Sequence, residues 1–366
     1  MSDSALKVGL LTASLTDTSG WSHYSLSLVR ALLRAGVRLT VVAPRNSPLM
    51  DGVTVLPILP TVEPLQRGLL INQVRLLPQV RAALRDCTLI HAAVEPYAPL
   101  AALIAGSRRL IVTGHGSYVL AAERRRFPVN RIYAWAYRKS QMVCVSHYTA
   151  RAVEAALPGI RTTVINNGVD FERFADIRHI GDGGVLSVGG VKARKGTLEL
   201  VQAMTHVPDT RCTIVGSLTS EPDYTARVQA EIARLGLQDR VTLTGRIAEA
   251  DLLRLYAEAA VFALPSLNVG WKFEGYGLAT LEASAAGLPV ISTRDCGAED
   301  AILDGVTGFS IPQTDLEHGL ADAINRLLQD RSLAETMGAA GRDHARLQTW
   351  DHVAAQMITL YKTRLG

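Results

Sequence analysis

The sequence has little cysteine. Cys87, Cys144, Cys212 and Cys296 stand far apart among 366 residues, with no CxxC pair. That spacing argues against a cysteine-ligated metal site and against a disulfide scaffold, and it fits a reducing, cytoplasmic setting. Aromatic residues make up only 5% of the chain, while the apolar share is 48%. A core built from Ala, Leu and Val suits helices packed on parallel sheets better than a β-sandwich. No apolar run approaches the roughly 20 residues that span a bilayer. Residues 1–14 lack a basic stretch followed by a long apolar one, so no secretory leader is expected. The opening strand region, Val8-Gly9-Leu10-Leu11-Thr12-Ala13, does not carry the GxGxxG of a dinucleotide-binding dehydrogenase. No nucleic-acid recognition module is visible either, so no nucleic-acid partner is expected.

What the chain does contain is alternation. Its length suits two domains better than one. In the first half, candidate strands at 7–11, 39–43, 88–91, 110–113, 142–145 and 163–165 alternate with helical patterns at 21–34, 69–84 and 130–139. After a mixed, polar segment with Gly181, Gly183 and Gly184, the alternation restarts. Strands are expected at 185–188, 212–215, 241–244, 261–264, 289–292 and 308–311, with helices at 224–235, 249–258 and 278–286. Near-continuous apolar strands alternating with helices imply βαβ units and parallel sheets. The reading is α/β, with two Rossmann-like domains facing across a cleft. The first covers residues 1–174 and the second 175–349. Helices follow at 315–328 and 332–345, and the last, in 350–366, is expected to return to the first domain. The halves differ in charge. Residues 1–174 hold 20 Lys+Arg against 10 Asp+Glu and residues 175–366 hold 18 against 24, so +10 and −6 combine to the net +4. They therefore present different electrostatic surfaces to their partners.

Two glycine-rich loops stand out. The first, Gly189-Gly190-Val191-Lys192-Ala193-Arg194-Lys195-Gly196, follows a strand and opens a helix. Glycines let backbone approach a ligand, and a helix N-terminus beside Lys192, Arg194 and Lys195 favours a diphosphate. The same residues also suit a glycine turn with solvated bases. The second is Glu274-Gly275-Tyr276-Gly277-Leu278, leading into an apolar helix that carries Glu282. Two carboxylates eight positions apart flank a glycine-rich helix entry. Carboxylates accept paired hydrogen bonds from vicinal hydroxyls, and free loop amides donate to phosphate or sugar oxygens. An acid inside an apolar helix is rarely left unpaired, which favours function over a surface accident.

The pattern Glu274-x7-Glu282, with Phe273, Gly275, Gly277 and Leu278 in place, resembles the retaining glycosyltransferases of family 4, which have the GT-B fold. So do Val164-Ile165-Asn166-Asn167-Gly168-Val169-Asp170 with Phe174, Gly245-Arg246-Ile247, and Glu299 with Gly305–Phe309. The resemblance covers most of the chain and implies a role for each residue. Glu282 would bind the donor ribose, and Glu274 the hydroxyls of the donor sugar. Amides at Tyr276, Gly277 and Leu278 would hold phosphate or sugar. Lys195 would neutralise the leaving diphosphate, and Arg246 and Ile247 would border the base. Gly20 would bring backbone close to phosphate or acceptor. His115, in Thr113-Gly114-His115-Gly116, would lie near the donor sugar, although it also suits a loop histidine bonded to backbone. His91, on an apolar strand, reads as structural. The chain departs from the family at Gly190, where an arginine is usual, and Arg194 is the substitute expected on the same loop.

The resemblance thus implies hexosyl transfer with retention from a UDP- or GDP-linked sugar, without a further cofactor. No DxD motif occurs, so no metal is expected. The expected acceptor is a glycan, glycolipid or lipid phosphate. Arg124, Arg125, Arg126, Arg131, Arg138 and Lys139 surround Tyr133, Trp135 and Tyr137, a pattern that suits either peripheral docking on the inner membrane face or an ordinary solvated helix. Two other readings stay open: a sugar-nucleotide epimerase on the same fold, and a non-catalytic binding protein, motivated by Gly190.

Overall fold

The computed structural model describes residues 6–63 and 68–365, so part of the opening stretch read for a leader lies outside the described residues. Two compact units result: Met1–Asn167 with Trp350–Gly366, and Gly168–Thr349.

The first unit holds seven strands: β1 (Lys7–Leu11), β2 (Arg38–Pro44), β3 (Thr54–Leu59), β4 (Leu89–Ala92), β5 (Arg109–Gly114), β6 (Gln141–Cys144) and β7 (Thr162–Val164). Their order is β3-β2-β1-β4-β5-β6-β7, and every pair is parallel. Val8, Leu10, Val41, Leu89, Ile90, Ile111 and Val143 are fully buried, as expected of strands covered by helices on both faces. β3 has no counterpart in the expected strands. Its sequence, Thr-Val-Leu-Pro-Ile-Leu, is broken by Pro57, which cannot donate to a ladder; at the sheet edge that costs nothing.

The second unit holds six: β8 (Val185–Val188), β9 (Cys212–Val215), β10 (Val241–Gly245), β11 (Val261–Leu264), β12 (Val290–Thr293) and β13 (Gly308–Ile311). Their order is β10-β9-β8-β11-β12-β13, again all parallel. Expected and observed strands agree here to within one residue. Residues 168–174, expected in the first domain, join the second unit. The Val169 N–H donates to the Gln348 carbonyl at 2.8 Å, and buried Phe174 meets Tyr256 edge-on at 5.6 Å.

The helix Trp350–Leu365 packs on the helix Gly20–Arg34 within the first unit. Arg34 pairs with Asp351 at 2.6 Å, and Tyr361 Oη lies 2.8 Å from His91 Nδ1. His91 also meets Thr113 Oγ1 at 2.8 Å. Burial drives its pKa down to about 3, so it is a neutral strut of the core, in keeping with a structural role.

In both sheets the strand order reverses beside the first strand, between β1 and β4 and between β8 and β11. Loops leaving the C-terminal ends of two such strands diverge and leave a crevice, where doubly wound sheets bind ligands. The residues that matter are thus those following β1 and β4 in one unit, and β8 and β11 in the other.

Candidate active site

In the second unit, the loop after β8 carries the 3-10 turn Ala193–Lys195, and the loop after β11 carries Glu274. The switch point brings them together. Glu274 Oε2 accepts from Arg194 Nη1 at 2.6 Å, from Lys195 Nζ at 2.5 Å and from Ser266 Oγ at 3.4 Å. Its residue is only 8% exposed. Burial alone would raise the pKa of this carboxyl, but the two adjacent cations overcome that and hold it well below the usual carboxylate range. Burial acts the other way on Lys195, lowering its pKa, with Arg194 adding to the effect and Glu274 opposing it. The arrangement is one carboxylate clamped by two basic side chains.

Backbone contacts fix the clamp. The Leu267 N–H donates to the Arg194 carbonyl at 2.8 Å, and the Gly297 N–H donates to the Glu274 carbonyl at 2.8 Å. Gly297 sits so close that a Cβ there would come within 2.0 Å of the Gly275 oxygen. Any side chain at 297 would push the Glu274 loop away. Sequence reasoning missed Gly297, and its only signal was a glycine four residues past a strand.

The helix Leu278–Ala285 starts directly after this loop. Its N-cap, Gly277, adopts φ +84° and offers no side chain to cap the first turn. Among the described residues, no acceptor meets the N–H groups of Tyr276, Gly277, Leu278 and Ala279. Unfilled amides at a helix start attract anions. Tyr276 itself is buried, and its hydroxyl has no partner among the described residues.

Glu282 lies on the same helix. It accepts from Arg173 Nη1 at 3.1 Å and Tyr256 Oη at 3.2 Å. Arg173 also grips Glu249 through Nε and Nη2. Arg173 and Tyr256 were not singled out in the sequence, because a lone arginine beside a phenylalanine carries no spacing signal. Glu282 is thus held by donors but keeps some exposure, 15% of its side chain. Gly190 is half-buried on the β8 loop, while Arg246 is exposed and Ile247 half-buried after edge strand β10. Arg194, the expected stand-in for the missing arginine, is committed to Glu274 in this state.

The remaining expected residues belong to the first unit. Gly20 is exposed and opens the helix Gly20–Arg34, whose N-cap Ser19 accepts from the Ser22 N–H at 3.2 Å. His115 follows β5. Its N–H donates to Glu95 Oε1 at 2.7 Å, and its ring Nε2 donates to the Ala93 carbonyl at 2.7 Å. That fixes the tautomer and leaves Nδ1 as the ring acceptor. Burial lowers its pKa to about 4, and the Tyr24 ring packs edge-on at 4.3 Å. Glu95, which holds the loop, was also missed.

Among the described residues, one group has metal-ligating geometry: His206, Glu317 and His318, with ligand atoms within 4.8 Å of one another. It involves neither glycine loop. No helix of the described residues is long and apolar enough to cross a membrane.

Comparison with known proteins agrees with this geometry. Residues 18–173 match the sequence family described as Glycosyltransferase Family 4, and residues 172–344 match Glycosyl transferases group 1. A GDP-mannose-dependent alpha-(1-6)-phosphatidylinositol monomannoside mannosyltransferase of Mycolicibacterium smegmatis is 34% identical over 288 residues, 72% of each chain. A sucrose-phosphate synthase from Thermosynechococcus elongatus superposes with a TM-score of 0.79 at 23% identity, covering 98% of both chains. Anabaena HepE, solved with UDP and glucose, gives 0.77 at 22% identity over 98% of this chain and 100% of its own. Two parallel α/β units, the two-carboxylate loop and helix, and relatives matched over most of their length lead to one conclusion: the chain belongs to glycosyltransferase family 4 and is a glycosyltransferase of GT-B fold.

Proposed function

We propose that this enzyme transfers a hexose, with retention, from a nucleoside diphosphate sugar to a hydroxyl of a lipid-linked or glycan acceptor, and that GDP-mannose is the donor to test first. The observation that carries the reading is the clamp of Glu274 by Arg194 and Lys195 beside the uncapped start of Leu278–Ala285. These cations and unmet amides suit a diphosphate, and preorganised charge of this kind is usually the largest single catalytic effect. Glu282, farther along the same helix, suits the ribose hydroxyls. Glu274 passes its cations to the diphosphate and accepts from the sugar hydroxyls. In the first unit, neutral His115 offers Nδ1 as an acceptor for a substrate hydroxyl.

In the proposed step, the bond from the anomeric carbon to the β-phosphate oxygen breaks and the acceptor oxygen bonds to that carbon on the same face. The acceptor proton leaves with the departing phosphate. No carboxylate in a nucleophile's position was identified in the sequence, so a double displacement has no candidate residue. With Lys195 and Arg194 on the diphosphate, the leaving group does not require a metal. GDP-mannose is favoured because mannosyltransferases that use it are relatives matched over 72–74% of their length. Those enzymes act on a phosphatidylinositol mannoside, which favours a lipid acceptor. The helix Val129–Lys139 suits contact with an anionic membrane, with Arg131 and Arg138 beside partly exposed Trp135 and with Phe127 82% exposed just before it.

The test is a thermal-shift series with GDP, UDP and their sugar conjugates in EDTA. A ligand of the folded state alone must raise the melting temperature. Stabilisation by the GDP series is expected. Stabilisation by UDP alone replaces the proposed donor, and no response to any of them sinks the transferase assignment of this site.

A further inference from the structure

Glu95 is the most conspicuous buried group outside the clamp. It begins a 3-10 turn, Glu95–Tyr97, three residues past β4, and its side chain is completely buried. β4 and β5 are neighbours in the sheet, with Ala92 paired to Val112, so the loops that leave them run side by side. Glu95 Oε1 accepts the His115 N–H at 2.7 Å, while Oε2 has no hydrogen-bond partner among the described residues. No lysine or arginine pairs with it among those residues.

A buried carboxylate without a counter-ion is costly and escapes the cost by holding its proton. Burial pushes Glu95 up to about 8, against the pull of the His115 and Glu95 amides. The titratable groups that sense it are Tyr24, Tyr118, Tyr133, Tyr137, Cys144 and the bonded His115. Burial raises the phenols and the thiol and lowers His115, so all are neutral at pH 7.

We infer that Glu95 is a positioning residue: as an uncharged acid it anchors the His115 loop to the β4 loop and keeps the imidazole in its neutral Nε2–H form. Two bonds between the same loops, Glu95 to the His115 amide and Ala93 to the ring, hold the backbone and the side chain separately. A charged residue at 95 would hold the amide equally well but would draw a proton onto the ring. A neutral acceptor holds the loop and leaves Nδ1 free. The inference rests on His115 serving the reaction as proposed above.

The experiment combines nitrogen-15 histidine NMR with donor turnover in Glu95→Ala, Glu95→Gln and His115→Ala. His115→Ala identifies the His115 resonance by its loss. In the parent protein, the ring is expected to stay neutral to about pH 5 as the Nε2–H tautomer. Glu95→Ala admits water, mixes the tautomers and moves the titration at least one pH unit towards the ordinary value. Glu95→Gln keeps a neutral acceptor and restores the parent behaviour. On GDP-mannose, Glu95→Ala should lower kcat about 10- to 100-fold, the scale of a small misplacement, with KM changed less than about threefold. If Glu95→Ala does not fold, Glu95→Met serves in its place. An unchanged His115 titration in the truncated variant, or a Gln variant no better than it, overturns the inference. If the titration shifts as expected but His115→Ala turns over donor at the parent rate, the positioning stands and the proposed role of His115 fails.

Discussion

Replacing Glu274 by Gln removes the only negative charge in the clamp and keeps its shape. Arg194 Nη1 and Lys195 Nζ both bond the same oxygen, at 2.6 and 2.5 Å, so they lie at most about 5 Å apart. At an effective dielectric of about 20, two like charges at that distance repel by about 3 kcal/mol. Breaking a buried pair by removing one partner costs about 3–5 kcal/mol. Arg194 retains 27% side-chain exposure and can swing partly clear, which favours the lower figure. For a unit of this size, about 3 kcal/mol lowers Tm by about 6–12 °C. The distinctive part is the response to an anion. In the parent, pyrophosphate must displace Glu274 from both cations; in Glu274→Gln the cations are already unpaired. Pyrophosphate should therefore raise Tm more in the variant than in the parent, while sugar transfer is lost. Scanning calorimetry with and without pyrophosphate in EDTA measures both quantities. A variant that melts with the parent, or gains no more from pyrophosphate than the parent does, would refute the account of the clamp.

Glu282→Ala should weaken GDP binding by about 100-fold, the loss of two hydrogen bonds to a charged acceptor, while Arg173 keeps its hold on Glu249 and Tm shifts by only a few degrees; titration calorimetry showing undiminished affinity would remove Glu282 from the site. Gly190→Arg should be tolerated, since a Cβ at 190 meets nothing closer than Ser220 Oγ at 3.4 Å, and a fourth cation on the β8 loop should tighten GDP binding several-fold. Weaker binding at unchanged Tm would show that Arg194 has already taken the place of the family arginine. Reversing both Arg131 and Arg138 to Glu should reduce co-sedimentation with phosphatidylglycerol vesicles at least about 30-fold, at about 1 kcal/mol for each charge removed. A parent protein that ignores such vesicles ends the membrane reading.

Most strands of the second unit were legible as short, largely apolar runs closed by glycine or proline, as Val185–Val188 and Val261–Leu264 show. β3 was not, because Pro57 and its half-buried residues break the pattern of a core strand. The carboxylate pair was visible through its spacing across a glycine-rich helix entry. Arg173, which holds Glu282, lies 109 positions away, and nothing local marks it. Glu95 could have been suspected: an acid within His-Ala-Ala-Val-Glu-Pro-Tyr-Ala-Pro is out of place in an apolar stretch unless something needs it. Its partner, His115, is brought to it only by the parallel pairing of β4 and β5. Periodicity reports which face of an element is buried, but not which loops the sheet order sets side by side.

The chain leaves the first unit at Asn167 and comes back to it at Trp350. This has a consequence for the ribosome. Residues 168–349 emerge as one uninterrupted stretch, and all six strands of their sheet are available as soon as Ile311 is made. The first sheet is synthesised earlier, yet His91 must wait some 270 residues for Tyr361, and the helix Gly20–Arg34 waits still longer for its neighbour Trp350–Leu365. Domains generally fold as units while the chain is being made. Here the part synthesised first is the part completed last, and the enzyme's first unit spends most of its synthesis with one flank of its core uncovered.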